Sequence, residues 1–499
     1  MPTNRISLRF AMGAVFLAAG FAAAIPMAAA QSVTLAISSE PSTLDPQKTM
    51  DGGERRVNDN VFDSLLSRNA ESELAPGLAT ELPRRIDDTT WQFKLRQGVK
   101  FHNGEPFNAD AVVHSVTRIF SPDYKSTALG DLTGIKGAEK VDDFTVNIKT
   151  ERLDNLLPSR MYWLKIVPVK GTQEASFAQK PIGTGPYRVV EWARGSHVQL
   201  ERNPDYWGDK PKIERARFRF ISEGGTALSG LIAGELDFVD NLQAEFSKQV
   251  PQLAHRRGLE HPFAALSTET GPTKDKRVRQ ALNFAVDKQA LAEELFQGFA
   301  SPARGQMIGD KSFGFNDQLK PWPYDPARAK ALIKEAGAEG ATIEFVVPSG
   351  RWPKAREMGE AISGYWQAAG LKPDLKVLEF SQYLGRLRDR KVRPDVIYAS
   401  HNNALLEAER TVQVFYQSVP KATSSSLVDP VLDELVDAAS REPDNAKRKA
   451  LYLRMMQRGY DEAYFLFLLN TDDMYGLSKR MTWTPRLDNK VFLAEMMVK

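Results

Sequence analysis

The sequence has 499 residues, with 66 lysines and arginines against 63 aspartates and glutamates, and it contains no cysteine. A chain of this length can bury large hydrophobic cores in two or three domains without cross-links. Without cysteine it cannot form disulfides, use a cysteine nucleophile or bind zinc through thiolates. The balanced charge argues against a nucleic-acid partner, which calls for a concentrated basic surface.

The first thirty residues have the pattern of a secretory signal peptide. Arg5 and Arg9 are followed by the apolar run Phe10–Ile25, and Ala28–Ala30 supplies the small residues of a cleavage site. A membrane anchor is the alternative, but a spanning helix needs roughly 20 apolar residues and this run is shorter. We therefore expect cleavage before Gln31 and export to the periplasm. With no cysteine present, lipid anchoring at this end is not expected.

The N-terminal half alternates short strands and helices. Val33–Ile37 has the composition of a strand, and the region of about 70–180 is typical of an α+β subdomain. Alternating apolar residues mark two strands in it, and Asn108 is placed to begin a helix; the strand residues are Trp91, Phe93 and Leu95, then Phe144, Val146 and Ile148. The adjacent carboxylates Asp87–Asp88, Asp142–Asp143 and Asp472–Asp473 are predicted to lie in solvated turns.

Further along, the stretch 275–298 is predicted to form one amphipathic helix. Asp275 can cap its start and Gly298 can end it. Its apolar stripe consists of Val278, Leu282, Ala285 and Val286. A second helix is expected from Asp325–Pro326 to Gly337, with aspartate as the cap and proline in the first turn.

The segment 343–399 predicts a parallel sheet. Strands are expected at Ile343–Val347, Leu375–Phe380 and Val396–Ala399, with a helix from about Met358 to Gly370 and another over 381–390. This β-α-β-α-β order is typical of parallel strands joined by crossover helices. Ligands bind beyond the carboxyl ends of such strands, which directs attention to the loops 348–353 and 400–404.

No catalytic or metal-binding motif stands out. Gly183–Gly185 begins like a dinucleotide-binding loop, but Pro186–Tyr187 prevents a helix start and Arg188 replaces the third glycine. No two of the six histidines have the spacing of a metal pair on a helix. We therefore expect no metal, no cofactor and no enzymatic activity. A periplasmic hydrolase acting on peptides or esters is the alternative.

Several segments resemble one known family, the family 5 extracellular solute-binding proteins of ABC importers, typified by dipeptide-, oligopeptide- and nickel-binding proteins. The resemblance covers the mature chain in the expected order. The matching segments are 40–46 (EPSTLDP), 74–80 (LAPGLAT), 90–107 (TWQFKLRQGVKFHNGEPF), 109–113 (ADAVV), 183–187 (GTGPY), 203–208 (NPDYWG) and 275–287 (DKRVRQALNFAVD).

This resemblance implies an α/β fold of two lobes, the large type II class of periplasmic binding proteins, with an extra α+β subdomain in lobe I. Lobe I is expected over 31–263, lobe II over 264–468, and the stretch 469–499 is expected to return to lobe I. A monomer would capture a peptide-like or other small organic solute between the lobes and deliver it to ABC permease subunits in the inner membrane. A sensor or chaperone role on the same fold is a further alternative.

Eight residues are candidates for ligand contact. Glu40 and Tyr124 match ligand-contacting positions of the family, and the segment from Ser400 through His401 and Asn402 to Asn403 matches its lobe II loop. The strand-end loop adds Arg351, which can bind a carboxylate, and Trp352, which can either stack on a ligand or pack against the helix that follows.

The family's peptide binders usually place an aspartate in the lobe II loop to pair with the ligand's α-amino group. Here the first acid after Ser400 is Glu407. We therefore expect a ligand that carries a carboxylate or hydroxyls and depends less on a free amine, such as an opine, a sugar conjugate or a blocked peptide.

Overall fold

The computed structural model describes Met1 and residues 31–49, 52–69, 71–127, 132–389, 393–418 and 427–499. The chain forms two units, Met1–Ala30 and Gln31–Lys499, and every element below belongs to the second. Apart from Met1, the predicted signal peptide lies outside the described residues. Within the described ranges, no helix combines the length and the apolar character needed to cross a bilayer.

Helices and strands alternate along the second unit. The helices are α1 Gly52–Val61, α2 Ala109–Ile119, α3 Leu157–Trp163, α4 Gly224–Ile232, α5 Lys276–Phe284, α6 Lys288–Phe296, α7 Pro326–Glu335, α8 Ala355–Ala368, α9 Phe380–Arg388, α10 Ala408–Thr411, α11 Pro430–Arg441 and α12 Asn445–Asp461. The strands are β1 Ser32–Ile37, β2 Leu66–Arg68, β3 Leu74–Pro76, β4 Arg84–Asp87, β5 Thr90–Lys94, β6 Ile135–Asp142, β7 Thr145–Thr150, β8 Tyr187–Ala193, β9 His197–Arg202, β10 Arg215–Phe220, β11 Phe238–Val239, β12 Gln252–Arg257, β13 Glu260–Leu266, β14 Ala300–Pro302, β15 Thr342–Ser349, β16 Lys372–Glu379, β17 Val396–Asn402, β18 Phe465–Phe467, β19 Leu469–Leu477, β20 Met481–Thr482 and β21 Met497–Val498.

The largest sheet has eight strands in the order β12-β19-β11-β1-β10-β9-β8, with β14 paired to β19 beside this path. The predicted strand at Val33–Ile37 is its central strand β1, which runs parallel to both β10 and β11. Alternate residues of β1 enter a buried core with Val57 and Val61 of α1. We call the part of the chain built around this sheet and the neighbouring four-stranded sheet lobe I.

The GTGPY segment packs directly on the end of α1. A Cβ atom on Gly183 would lie 2.0 Å from the carbonyl oxygen of Val61, and one on Gly185 would lie 2.6 Å from the same oxygen. Only glycine fits at this distance. The segment then continues into β8, so it forms no dinucleotide-binding loop.

The predicted α+β subdomain contains a four-stranded sheet in the order β4-β5-β7-β6, covered by α2. Asn108 caps α2 by accepting hydrogen bonds from the amides of Asp110 and Ala111, as predicted. Asp87–Asp88 and Asp142–Asp143 lie exposed at hairpin turns. The third pair was predicted wrongly. Asp472–Asp473 lies within β19, where Asp472 accepts from Arg257 on the neighbouring strand.

Lobe II is the part of the chain built around a five-stranded sheet in the order β16-β15-β17-β13-β18. Strand β15 is parallel to both β16 and β17, which confirms the predicted β-α-β-α-β arrangement. Antiparallel β13 and β18 complete the sheet. Strand β17 extends to Asn402 because its last residues pair with β13, so the loop predicted to begin at Ser400 begins later.

The helix predicted over 275–298 is two helices, α5 and α6. The prediction of one helix was wrong because the apolar residues of both helices enter the same buried core, and their pattern therefore did not show the break. Asp287 interrupts the helix and caps α6 by accepting from the amide of Ala290. Asp275 caps α5, and Gly298 follows α6 with φ +82°, so both predicted ends hold.

The chain passes between the two large sheets twice. It leaves β12 and enters β13 through Gly258 and Leu259, and it leaves β18 and enters β19 through Leu468. Asp473 lies beside the first passage, 2.7 Å from the position that a Cβ of Gly258 would take. The lobe limits at 263 and 468 remain predictions.

Candidate functional site

The carboxyl ends of β15, β16 and β17 lie at one edge of the lobe II sheet, because the three strands are parallel. This edge faces lobe I: Lys354 Nζ, just before α8, lies 3.5 Å from Glu245 Oε1 of lobe I. Lobe II also contacts lobe I where the Arg68 guanidinium donates to the carbonyl oxygen of Leu405 at 3.0 Å. The predicted strand-end loops therefore lie on the side of lobe II that meets lobe I.

Arg351 and Trp352 lie together at this edge. The Trp352 ring is half-buried, with ring centroids 6.1–6.2 Å from those of Phe380, Tyr383 and Tyr398. The exposed Arg351 guanidinium lies 5.7 Å from the Trp352 ring centroid and has no ion pair with any described residue. The edge thus presents a cation supported by aromatic rings, while Trp352 also packs against α9.

The segment Ser400–Asn403 divides between the surface and the interior. His401 is buried, and its Nε2 lies 2.8 Å from Thr411 Oγ1. Burial lowers the pKa of His401 to about 3, so the ring is neutral. Asn403 is fully buried and donates to Ser312 Oγ. Both side chains are therefore committed to contacts within lobe II.

The remaining two residues of this segment lie closer to the surface. Asn402 is exposed and donates to Glu260 Oε2 at 3.3 Å. The Ser400 hydroxyl is buried and has no hydrogen-bond partner among the described residues. Ser400 therefore has unmet hydrogen-bonding capacity, and Asn402 is accessible.

Glu40 is held by the β8–β9 hairpin of lobe I. Its carboxylate accepts from Trp192 Nε1 and from the amide of Gly195, each at 3.0 Å, and its side chain is 29% exposed. Arg194 lies 3.7 Å away. These partners occupy both carboxylate oxygens.

Tyr124 belongs to a different network in lobe I. Its hydroxyl accepts from Arg118 at 2.9 Å, and the Arg118 guanidinium lies 4.2 Å from its ring centroid. Arg118 also forms an ion pair with Asp45. Burial raises the pKa of Tyr124, and Asp45 adds to this effect. No described contact joins Tyr124 to Glu40 or to the lobe II edge.

The sequence reasoning missed a small cavity between α1 and α3. The cavity, about 10 Å³ in volume, has room for one water molecule or one terminal group of a solute. It is lined by Pro46, Thr49, Arg55, Asn58, Asp59, Trp163 and Lys165. Trp163 packs with Leu405 of lobe II, so the cavity lies where the lobes meet.

Three polar atoms around this cavity are buried without a hydrogen-bond partner among the described residues: Arg55 Nε, Asn58 Oδ1 and Trp163 Nε1. The Arg55 guanidinium lies 5.0 Å from the Trp163 ring centroid. Asn58 is only 3% exposed. Because an unmet buried polar group costs free energy, such a cluster indicates a place where a ligand completes the hydrogen bonding.

Cations surround Asp59, whose carboxylate belongs to the wall of this cavity. Asp59 lies 2.8 Å from Lys165 Nζ and 3.1 Å from Lys490 Nζ. Burial alone would raise the pKa of Asp59, but Lys165, Lys490 and Arg55 hold it well below its ordinary value. Burial also lowers the pKa of Lys490 to about 7. Within the cavity wall itself, Arg55 and Lys165 stand against Asp59 alone, and this excess of one positive charge suits an anionic group.

One sequence signal could have located this cavity. Helix α1 is polar along most of its length, yet Arg56, Asn58, Asp59 and Asn60 are all buried. Polar helical residues without an apolar stripe favour solvent unless specific partners surround them. Those partners are Asp240, Lys165 just after α3, and residues of the C-terminal stretch, all far away in the chain.

Residues 73–422 match the bacterial extracellular solute-binding proteins, family 5 middle. The glutathione-binding protein GsiB of Pectobacterium atrosepticum is 26% identical over 486 residues, covering 93% of this chain and 94% of that protein. Di/tripeptide-binding protein 1 of Pseudomonas aeruginosa is 27% identical over 492 residues, covering 89% and 90%. The structure of HbpA2 from Haemophilus parasuis superposes with a TM-score of 0.84 at 26% identity, covering 94% of this chain and 100% of that chain.

These matches confirm the predicted family resemblance, the two-lobed α/β fold and the solute-binding role. They do not favour the hydrolase alternative, because the family consists of binding proteins. Proteins of this family work outside the cytoplasm with ABC importers. The matched segment covers more than half of the sequence, and the chain belongs to the family 5 bacterial extracellular solute-binding proteins.

Proposed function

We propose that this protein captures a small organic solute bearing a carboxylate in the cleft between its lobes and, as a periplasmic monomer, delivers it to the permease of an ABC importer. The observation that carries this proposal is the Arg55 guanidinium. It is half-buried at the lobe junction, its Nε has no acceptor among the described residues, and the indole N–H of Trp163 beside it is a second unmet donor.

The lobe II edge supports the same ligand class. Arg351 is exposed at the carboxyl ends of the parallel strands, where it has no carboxylate partner among the described residues. An arginine can bind a carboxylate through two parallel hydrogen bonds, and these are stronger than hydrogen bonds between neutral groups. Glutathione and di/tripeptides, the solutes named for two relatives, carry carboxylates.

Closure of the two lobes is the conformational change that this binding would produce. A solute held by Arg55 on one side and Arg351 on the other makes both sets of contacts only when the lobes are closed, so it shifts the population toward that form. A permease can recognise the closed form by its shape. The signal peptide, removed before Gln31, would direct the protein to the periplasm.

Native mass spectrometry of protein purified from periplasm tests the ligand class. We expect a co-purified solute that carries a carboxylate, and calorimetric titration should show about tenfold weaker binding of its carboxamide. Arg351→Ala and Arg55→Gln should each weaken binding of the acid by about tenfold. Arg84→Gln is the matched control, because Arg84 is exposed on β4 of the subdomain.

Two results would contradict the proposal. One is a co-purified solute without an acidic group. The other is equal affinity for acid and carboxamide in the wild type, together with no loss in either arginine variant. A solute that emerges chemically altered after incubation would instead revive the hydrolase alternative.

A further inference from the structure

A second cavity, about 440 Å³ in volume, lies between the α+β subdomain and lobe II, and the cleft-lining residues named above do not border it. The subdomain contributes Arg85 and Trp91, and lobe II contributes Glu407 and Arg448. Beside it, Asn155 of lobe I donates to the carbonyl oxygen of Glu442 in lobe II at 3.3 Å. The cavity is thus within the size range of small-molecule sites and is bordered by both lobes.

Three polar atoms of the residues that line this cavity are buried and have no hydrogen-bond partner within the described ranges: Trp91 Nε1, Arg448 Nε and Glu407 Oε2. The Arg448 side chain is 3% exposed. Its two terminal nitrogens are already used, one donating to Glu409 and the other to Asn445. Its remaining N–H is therefore a buried donor without an acceptor, and Trp91 Nε1 is a second one.

The charge around the cavity favours an anion. Burial raises the pKa of Glu407 to about 8, with Glu409 adding to the shift and Arg448 opposing it. Glu407 is therefore mostly protonated near neutral pH and can donate a hydrogen bond. Arg85 is half-buried in the wall, with one N–H donating to Asn155 at 3.4 Å. Arg448 lies 3.6 Å from Glu407 and 3.3 Å from Glu409, whereas Arg85 has no carboxylate within ion-pair distance among the described residues. The lining thus carries two arginines against the one carboxyl of Glu407.

The wall also has an apolar part, formed by Leu74, Leu82, Pro83, Pro158 and Pro443. Asn155, Ser159 and Asn445 complete the lining. An occupant that combines an acceptor-rich head with a hydrophobic body matches both parts of this wall.

We propose that this cavity is a second ligand site, which takes an organic acid whose carboxylate accepts from Trp91 and Arg448 and whose apolar body lies against the leucines and prolines. None of the residues assigned to the cleft above lines this site. An acid bound there contacts the subdomain and lobe II together, so it stabilises their association.

The test is a ¹⁹F NMR titration of protein labelled with 5-fluorotryptophan, with 3-phenylpropionate as the probe. The Trp91 signal is assigned by its loss in Trp91→Phe. We expect this signal to shift saturably in the millimolar range that fragment-sized ligands reach. The neutral isostere 3-phenylpropanamide should require a concentration at least about fivefold higher to produce the same shift. Arg448→Gln should raise the midpoint by about tenfold.

Arg351→Ala separates this site from the cleft. The cleft is altered in that variant, but the probe concentration that produces half of the Trp91 shift should be the same as in the wild type. If Arg448→Gln does not fold, Arg85→Gln replaces it and should raise the midpoint about threefold. The proposal is overturned by a Trp91 signal that does not move up to about 20 mM probe, by equal midpoints for acid and amide, or by a shift that Arg351→Ala abolishes. None of these results bears on the solute of the cleft, which native mass spectrometry identifies separately.

Discussion

Replacement of Asn58 by leucine should stabilise this protein although it introduces an apolar residue into a polar helix. Asn58 is 3% exposed, and its Oδ1 has no partner among the described residues. A buried amide oxygen that accepts no hydrogen bond costs about 1–3 kcal/mol relative to its state in water. Leucine has the same branched arrangement of side-chain heavy atoms and no such cost. Asn58→Leu should therefore raise the free energy of unfolding by about 1–2 kcal/mol.

Asn60 supplies a matched control on the same helix. It is also fully buried, but its side chain donates to the carbonyl oxygens of Arg56 and Val491 and accepts from the amide of Leu493, at 2.7–3.0 Å. Leucine at this position leaves the Val491 carbonyl and the Leu493 amide without partners. Asn60→Leu should therefore lower the free energy of unfolding by about 3–5 kcal/mol.

Urea unfolding of both variants, followed by circular dichroism and by tryptophan fluorescence, measures these changes. Because a two-lobed protein need not unfold in one step, the two signals are compared before a free energy is assigned. Opposite signs for the two substitutions support the interpretation that Asn58 is kept for a ligand. If Asn58→Leu were as destabilising as Asn60→Leu, the Asn58 amide would have a stabilising role in the empty protein, and the reasoning would fail.

Two further predictions concern packing and pH. Gly183→Ala should lower the free energy of unfolding by about 3 kcal/mol, because its Cβ would meet the Val61 carbonyl oxygen at 2.0 Å; Gly137→Ala, whose Cβ would meet nothing within 4 Å, should leave urea unfolding nearly unchanged. Glu407 has a pKa of about 8 in the cavity between the lobes against an ordinary value of 4.5, so the closed form binds its proton more tightly than an open form would. Small-angle scattering should therefore show closure weakening as pH rises from about 4.5 to 8, and Glu407→Gln should remove that dependence. The charged groups that act on Glu407 are Arg448, Glu409, Arg68 and Asp154. A pH response that persists in Glu407→Gln would assign the effect to another group.

The sequence reasoning succeeded where local pattern and burial coincide. Strands β15 and β17 of lobe II contain apolar runs, and α7 has its own aspartate cap and glycine end, so neighbouring residues alone specify them. The break at Asp287 was missed because an apolar stripe shows which face is buried but not whether the backbone continues. Strands β13 and β18 could not be assigned to the sheet, because their pairing joins residues far apart in the chain.

The candidate site was predictable only in part, for a related reason. Topology alone directs attention to Arg351, because ligands gather beyond the carboxyl ends of parallel strands. By contrast, His401 and Asn403 have polar partners inside lobe II that no sequence pattern reveals. Arg55 and Asn58 became visible only when their lack of partners could be seen, and that property belongs to the folded surroundings.

The unmet groups on the two lobes are numerous enough to drive closure. Moving a two-state equilibrium from one part in a hundred closed to almost fully closed requires about 5.5 kcal/mol of preferential binding to the closed form. Hydrogen bonds that involve a charged group contribute about 1.5–3 kcal/mol each. Arg55 and Trp163 on lobe I and Arg351 on lobe II together offer two to four such bonds to one carboxylate-bearing solute. A solute that reached one lobe alone would receive about half of that free energy and would leave the lobes largely open, so selectivity for the solute follows from the requirement that both lobes be engaged.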